Sequence, residues 1–501
     1  MDNTQIIKNN SLKSFIPENG LYKYFSGGDW LQSVTGETIP VQSPIDNSIV
    51  GRIQSISVSE LRDTFENAFF AFSKWSSKTM DERSNILVRT ADIMSENIDI
   101  LSHVLSYEIG KTVADSNDEV ERTVSLIKYY AEEGRRIHNE SLYSESFPGY
   151  NNKKIAITKR VPLGVVVAIP PFNYPINEGA PKIVGALIAG NTVVFKPSTQ
   201  GAISALLMVE CFRLAGIPEG VLNAVTGKSD VIGDELVTNR RCSAINFTGG
   251  TNTANSIKSK IGLIPLIAGL GGKDASIVCN DADIDLAVSE IAKGAFSYAG
   301  QRCTGIKRVL VQSDIKDQFE EKFVKYVSEH FVLGDPREKE TTMGPVINIR
   351  TVELFDELYD DAVKLGAKVL LGGKNLENEN RLFLNATILT NVSLDMKLAK
   401  EEPFAPILPI IQFTTIEEAV DIANSSEYGL QSSIFTKDIN TAFTVSEALD
   451  VGTVQINGKD SRGPDHFPFI GVKASGIGQV QGAKYLIESM TRIKTIVINK
   501  K

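Results

Sequence analysis

Leu163-Gly164-Val165-Val166-Val167-Ala168-Ile169 is the stretch on which the fold turns. A short, unbroken apolar run rich in β-branched residues reads as a strand buried on both faces. A helical pattern starts near Pro175, and the cycle repeats. Thr192–Lys196 (TVVFK) reads as a strand, a helix follows from about Thr199, and Val221–Thr226 and Ala244–Phe247 read as further strands with helices between. This alternation predicts an α/β protein whose mostly parallel sheet is covered on both faces. Ligands of such sheets bind beyond the carboxyl ends of the strands. A second alternating block runs from about 273 to 470. In it Ala275–Cys279 and Arg308–Gln312 read as strands, and Ile284, Ala287, Val288, Ile291 and Ala295 fall on one helical stripe. Two such blocks imply two domains with a cleft between them.

Upstream, residues 58–138 contain no proline and carry apolar residues at three- and four-residue steps, so they read as helical. Residues 1–60 read as short strands and turns punctuated by Gly27-Gly28, Gly36, Pro40, Pro44 and Gly51. Thr495–Asn499 (TIVIN) reads as a terminal strand. Such a strand needs a partner, in this chain or another subunit.

The 501 residues are 42% hydrophobic and 23% charged, the balance of a soluble globular protein. A net charge of -9 argues against general nucleic-acid binding, which needs a basic face, but leaves room for a local basic pocket. Four cysteines (Cys211, Cys242, Cys279, Cys303) without a C-x-x-C pair make no disulfide framework, and with only four histidines they argue against a metal site. Met1–Asn10 lacks a signal-peptide pattern, and no apolar run reaches the roughly 18–20 residues that span a membrane. The chain therefore reads as cytoplasmic and reduced, with no nucleic-acid or membrane partner.

Six short constellations carry candidate chemistry. In Gly300-Gln301-Arg302-Cys303 an arginine beside the cysteine is expected to lower the thiol pKa and make a nucleophile, although a cysteine in an apolar setting is as often a small core residue. In Pro170-Pro171-Phe172-Asn173-Tyr174-Pro175 the Asn173 amide suits a developing oxyanion, where a turn asparagine before a helix is the commoner case. Lys196-Pro197-Ser198-Thr199 and Phe247-Thr248-Gly249-Gly250-Thr251 each join a strand to a helix start that can receive a pyrophosphate, though the G-x-G-x-x-G order is missing. Gly269-Leu270-Gly271-Gly272-Lys273 and Glu401-Glu402-Pro403-Phe404 are modest taken alone.

In this order and spacing, over roughly residues 25–498, the six motifs resemble the aldehyde dehydrogenase superfamily. The resemblance implies a Rossmann-like coenzyme domain (1–138 and 160–271), an α/β catalytic domain (272–470) and a small β oligomerisation element (139–159 and 487–501), assembled as a homo-oligomer, with a tetramer expected. It makes Cys303 the nucleophile. Asn173 and the Cys303 backbone NH hold the oxyanion of the thiohemiacetal, hydride passes to a nicotinamide, and water hydrolyses the thioester. It places Lys196, Ser198, Thr199, Gly249, Gly250, Thr251, Leu270, Glu402 and Phe404 on the cofactor. Trp30 and Glu108–Lys111 also sit where the family carries similar residues. Pro170–Tyr174 with Asn177, and Arg462–Phe469 (RGPDHFPF), most resemble the non-phosphorylating glyceraldehyde-3-phosphate dehydrogenase subfamily. That subfamily's phosphate grip corresponds here to Arg122, Tyr174, Arg302 and Arg462. Forked guanidinium donors suit a phosphate dianion, and arginines converging without a carboxylate would be costly unless an anion neutralised them. Thr199 stands where NAD-demanding members often carry a glutamate, so NADP is expected to be preferred and NAD accepted.

One position departs from the family. Its motif begins with a glutamate, the general base for thioester hydrolysis; this chain has Gly269. General-base catalysis is typically worth ~10²–10⁴-fold. The departure leaves a deacylation-impaired or non-catalytic protein, an enzyme that passes its acyl group to another acceptor, or one whose base has moved. Glu178, five residues after Asn173, is the candidate for a relocated base, against the reading of a first-turn helix carboxylate. The expected reaction is oxidation of D-glyceraldehyde 3-phosphate to 3-phosphoglycerate; another anionic aldehyde such as succinate semialdehyde is the alternative.

Overall fold

The computed structural model describes residues 12–374, 380–478 and 482–500. Met1–Asn10 therefore lies outside the described residues.

The helical reading of 58–138 holds as four helices, Val58–Ser76, Met80–Glu96, Ile98–Ile109 and Val113–Gly134. The first two open with capping boxes, Ser57 with Glu60 and Thr79 with Glu82, each satisfying otherwise orphaned backbone donors. The third ends at Gly110, whose φ of 71° places it in the left-handed region that glycine takes at little cost.

An eight-stranded sheet has five central parallel strands, in the order Leu266–Gly269, Cys242–Thr248, Val165–Ile169, Thr192–Phe195 and Leu222–Ala224. Antiparallel strands cover both edges, Gly476–Ile477 on one side and Tyr24–Ser26 with Asp29–Leu31 on the other. Val165 to Ala168 are buried as a continuous run, as the sequence suggests for a strand sandwiched between helix layers. The seven-stranded second sheet is parallel except for its edge strand Lys368–Leu371, and its centre includes Ala275–Val278 and Arg308–Gln312. The helix Ile284–Phe296 packs onto it through Ala287, Val288, Ile291 and Ala295.

The terminal strand finds its partner within the chain. Thr491–Asn499 runs antiparallel to Lys154–Pro162 over nine residue pairs, with Ser141–Tyr143 on the other side. It starts four residues earlier than its apolar pattern indicates, because Thr491 to Lys494 continue the ladder with mostly polar side chains.

Two helices start later than expected. The helix expected near Pro175 is regular only from Gly179, and the one expected from Thr199 begins at Ala202 after Gly201, whose φ is 88°. In the first case Glu119 captures the backbone NH groups of Ile176 and Asn177, which holds the preceding residues as a separate turn.

Candidate active site

A cavity of about 990 Å³ opens beyond the carboxyl ends of the first sheet's strands, where a parallel α/β fold places its ligands. Cys303, Asn173, Glu178, Lys196, Glu402 and Phe404 all line it.

Cys303 follows an unusual piece of backbone. Tyr298, Ala299 and Gly300 have φ values of 52°, 52° and 72°, three successive left-handed residues. Each non-glycine residue there costs roughly 1–2 kcal/mol, so the surroundings must hold it in place. The Tyr298 hydroxyl donates to the Ile109 carbonyl at 3.1 Å. Gln301 accepts the Ile347 NH at 2.8 Å and donates to the Pro345 carbonyl at 3.3 Å. Lys307 Nζ donates to the carbonyls of Arg302 and Cys303 at 2.9 and 2.6 Å. The thiol does not follow the expectation drawn from Arg302. Burial pushes its pKa up; Lys307 pulls the other way, the Glu402 and Asp274 carboxylates add to the rise, and Arg302 offsets least. Desolvation of a thiolate outweighs one neighbouring guanidinium that is engaged elsewhere.

Asn173 is buried, and its Nδ2 donates to the Gln301 carbonyl at 2.8 Å, which ties it to the Cys303 loop and leaves its second N–H available. Behind it lies a pair that sequence reading did not assemble. Lys111, fully buried, donates to Glu119 at 2.5 Å and to the Asn173 carbonyl at 2.9 Å, and its ammonium sits 3.6 Å from the centre of the Tyr174 ring. Glu119 Oε1 accepts the Ile176 and Asn177 NH groups, each at 3.1 Å. The only sequence signal is a carboxylate on the buried stripe of its helix, with Ser116, Val120 and Thr123.

Arg122, Tyr174, Arg302 and Arg462 all line the cavity. The expectation that the arginines would converge without carboxylates is corrected. Arg122 makes a bidentate pair with Asp465 at 2.7 and 3.0 Å, and Arg462 forms an ion pair with Glu178. Arg302 donates to Ser297 Oγ at 2.7 Å and to the Asp460 carbonyl at 3.2 Å. Buried cations adopt such partners because an unpaired one is expensive.

Glu178 immediately precedes its helix and makes no cap bond, so the reading of it as a first-turn carboxylate does not hold. Its second oxygen stands 3.4 Å from Lys182 Nζ and 3.4 Å from Thr248 Oγ1. Lys182 in turn donates to Thr248 at 2.6 Å. Burial pushes Lys182 down to about 7, only partly countered by Cys303. A lone lysine in the otherwise apolar, wholly buried helix GAPKIVGALIA is the signal that could have found it. Thr248 and Gly269 are register partners on adjacent parallel strands, so their side-chain directions share one face of the sheet. Glu178, just ahead of the helix, meets Thr248 on that face.

The coenzyme groove continues past Lys196, Ser198, Thr199, Gly249, Gly250 and Leu270. Lys196 is buried, has no carboxylate partner among the described residues, and makes only a long bond of 3.4 Å to the Pro197 carbonyl; burial pushes it down to about 8. Open space flanks Gly250 at the start of the helix Thr251–Lys260. An uncompensated ammonium and a free helix start are what a phosphorylated dinucleotide requires, so the groove fits NADP. One expected contact differs. Thr251 does not line the groove, and its hydroxyl donates to the Ala474 carbonyl at 3.2 Å. Glu402 lines the cavity as expected, accepting the Gly272 NH at 3.1 Å and pairing with Lys307 at 3.3 Å.

Residues 30–496 match the family described as "Aldehyde dehydrogenase family". The chain is 43% identical over 486 residues to the NADP-dependent glyceraldehyde-3-phosphate dehydrogenase of Pisum sativum, covering 97% of this chain and 96% of that one. It is likewise 43% identical over 478 residues to the protein of that name from Streptococcus equinus, covering 95% and 98%. A crystal structure of NADP-dependent glyceraldehyde-3-phosphate dehydrogenase from Bacillus halodurans C-125 complexed with NADP superposes with a TM-score of 0.93 at 44% identity, over 96% of this chain and 99% of that one.

Proposed function

The chain belongs to the aldehyde dehydrogenase family, and from that premise we propose that it oxidises D-glyceraldehyde 3-phosphate to 3-phosphoglycerate with NADP, without phosphorylation. One observation carries this reading: Arg122, Tyr174, Arg302 and Arg462 line the same cavity as Cys303. Three guanidinium groups and a phenol suit a phosphate dianion on the aldehyde.

With the phosphate so held, the aldehyde carbonyl lies against Cys303. The free Asn173 N–H and the Cys303 backbone NH receive the oxyanion as sulfur adds, the kind of donor whose removal costs ~10²–10³ in rate. NADP, held by Lys196, Thr199 and the Gly249-Gly250 turn, supplies the hydride acceptor. Thr199 presents no carboxylate to a 2′-phosphate, which supports NADP over NAD. Glu178 is the base that activates water against the Cys303 thioester. It lies on the sheet face of residue 269, and Lys182, pushed down to about 7, stands beside it to share the proton. Glu402 lines the same cavity as Cys303 and is the control carboxylate.

The two large sheets support the division into coenzyme and catalytic domains. Exposed Ile493, Ile496, Val497 and Ile498 on the small sheet, with Leu142 and Ile157, support its use as an oligomer contact, in a tetramer. All four cysteines are free, which suits the cytoplasm as its location.

A pre-steady-state burst of NADPH tests the reading. D-glyceraldehyde 3-phosphate should give a burst near one per Cys303, followed by steady turnover, and should exceed succinate semialdehyde in kcat/KM by at least tenfold. The reverse preference defeats the substrate assignment. Glu178→Gln should cut steady turnover far more than the burst, whereas Glu402→Gln should not; equal losses in both phases for Glu178→Gln would remove it as the base.

A further inference from the structure

Glu178 has two sets of partners that belong to different parts of the reaction. One carboxylate oxygen pairs with Arg462, which faces the proposed phosphate pocket. The other stands 3.4 Å from both Lys182 and Thr248, the register partner of Gly269 on the adjacent strand. Both ends are enclosed: the Arg462 and Glu178 side chains are 10% and 11% exposed. Arg462 Nε has no hydrogen-bond partner among the described residues, so its fork is incompletely used.

A carboxylate held on a guanidinium by a charge-assisted bond is a poor acceptor for a proton from water. A phosphate dianion carries more charge and more acceptor oxygens than a carboxylate, so it competes well for the same fork. We propose that the substrate's phosphate group takes Arg462 from Glu178 and thereby frees Glu178 to act as the base, so that occupancy of the anion pocket switches on release of the acyl group. This rests on the assignments of the phosphate pocket and of Glu178 made above. Asp465 holds Arg122 in the same manner, whereas Glu178 also stands beside Lys182 and Thr248.

The freed carboxylate stays beside Lys182 and Thr248. Water then adds to the thioester carbonyl and gives a proton to Glu178. The C–S bond breaks, the sulfur leaves as thiolate, and the acyl group leaves as the carboxylic acid. Glu178 returns its proton to the thiolate, which restores both groups. No oxidant or further reactant is consumed.

The coupling separates the phosphate from the aldehyde as a requirement. D-glyceraldehyde, lacking the phosphate, should acylate Cys303 and then stall with Glu178 still on Arg462. Phosphite dianion added separately should complete the pocket. The expected result with the wild-type enzyme and NADP is that phosphite raises steady turnover of D-glyceraldehyde at least tenfold while changing the burst rate less than threefold. In Glu178→Gln the phosphite effect on steady turnover should vanish. Arg462→Met should turn over D-glyceraldehyde faster than wild type without phosphite and lose its response to it, while its KM for D-glyceraldehyde 3-phosphate rises. If D-glyceraldehyde 3-phosphate bursts and turns over normally but phosphite only inhibits, or speeds burst and steady state alike, the coupling is overturned and the substrate reading stands. If D-glyceraldehyde 3-phosphate gives no burst, the substrate reading itself fails.

Discussion

Replacing Lys111 by methionine should slow acylation of Cys303 without touching any group that meets the substrate's reacting atoms. Lys111 and Glu119 are both 0% exposed, and the ammonium bridges Glu119 at 2.5 Å and the Asn173 carbonyl at 2.9 Å. Methionine fills similar space but leaves a buried carboxylate with no cation. Breaking one partner of a buried pair costs about 3–5 kcal/mol. It also releases the carbonyl of the residue whose amide is the proposed oxyanion donor. Loss of such a donor costs ~10²–10³ in rate, and a misplacement of about 1 Å costs ~10². The burst rate with D-glyceraldehyde 3-phosphate should therefore fall about 100-fold, with the KM for NADP unchanged. Stability loss alone must be separated from positioning. In Lys111→Met with Glu119→Gln no charge is left buried, and the glutamine oxygen can still accept the Ile176 and Asn177 NH groups. That double variant should melt close to wild type yet keep the slow burst. A double variant that melts normally and bursts within threefold of wild type would refute the positioning role.

Thr199→Glu should lower kcat/KM for NADP relative to NAD by at least tenfold, since a carboxylate in the groove beside Lys196 would repel a 2′-phosphate; an unchanged ratio would place the 2′-phosphate elsewhere. Ile496→Lys, on the exposed terminal strand, should shift sedimentation toward smaller species if that sheet is a subunit contact. Glu108 is wholly buried, and burial raises it from 4.5 to about 7 despite the Ser204 hydroxyl and the Ile203 and Ser204 NH groups it accepts. The folded chain thus keeps a proton that the unfolded chain gives up between about 4.5 and about 7. Its contribution to stability is present below that window and lost as pH rises through it. The melting temperature of Glu108→Gln relative to wild type should therefore climb across the same window; a flat difference would contradict the burial argument.

Most of the architecture was legible because each central strand announces itself locally. Val165–Ile169 and Thr192–Phe195 are β-branched, unbroken and followed by helical patterns, and buried parallel strands have little else to disguise them. The cofactor motifs Lys196–Thr199 and Phe247–Thr251 were legible because each joins a strand to a helix start, whereas the nucleophile motif lies between the helix Ile284–Phe296 and the strand Arg308–Gln312 and stood out through its resemblance to a known pattern. What escaped depends on partners far apart in sequence. Lys111 meets Asn173 across 62 residues, and Arg462 meets Glu178 across 284. No local periodicity encodes which charge a buried carboxylate will find. The late start at Gly179 has the same origin, because the NH groups that would begin the helix are taken by Glu119 from another helix. Nor does anything local in Tyr298-Ala299 announce left-handed backbone, which is imposed by the contacts of Gln301, Lys307 and Tyr298 around it. The thiol was misjudged because adjacency to Arg302 is visible in sequence, whereas the desolvation that outweighs it is not.

The raised pKa of Cys303 also bears on how long the protein survives in a cell exposed to peroxide. Oxidation to sulfenic acid and beyond proceeds through the thiolate. Burial that raises the Cys303 thiol leaves less thiolate at rest, which makes the waiting sulfur a slower target. The desolvation that slows this sulfur toward substrate therefore slows it toward peroxide as well.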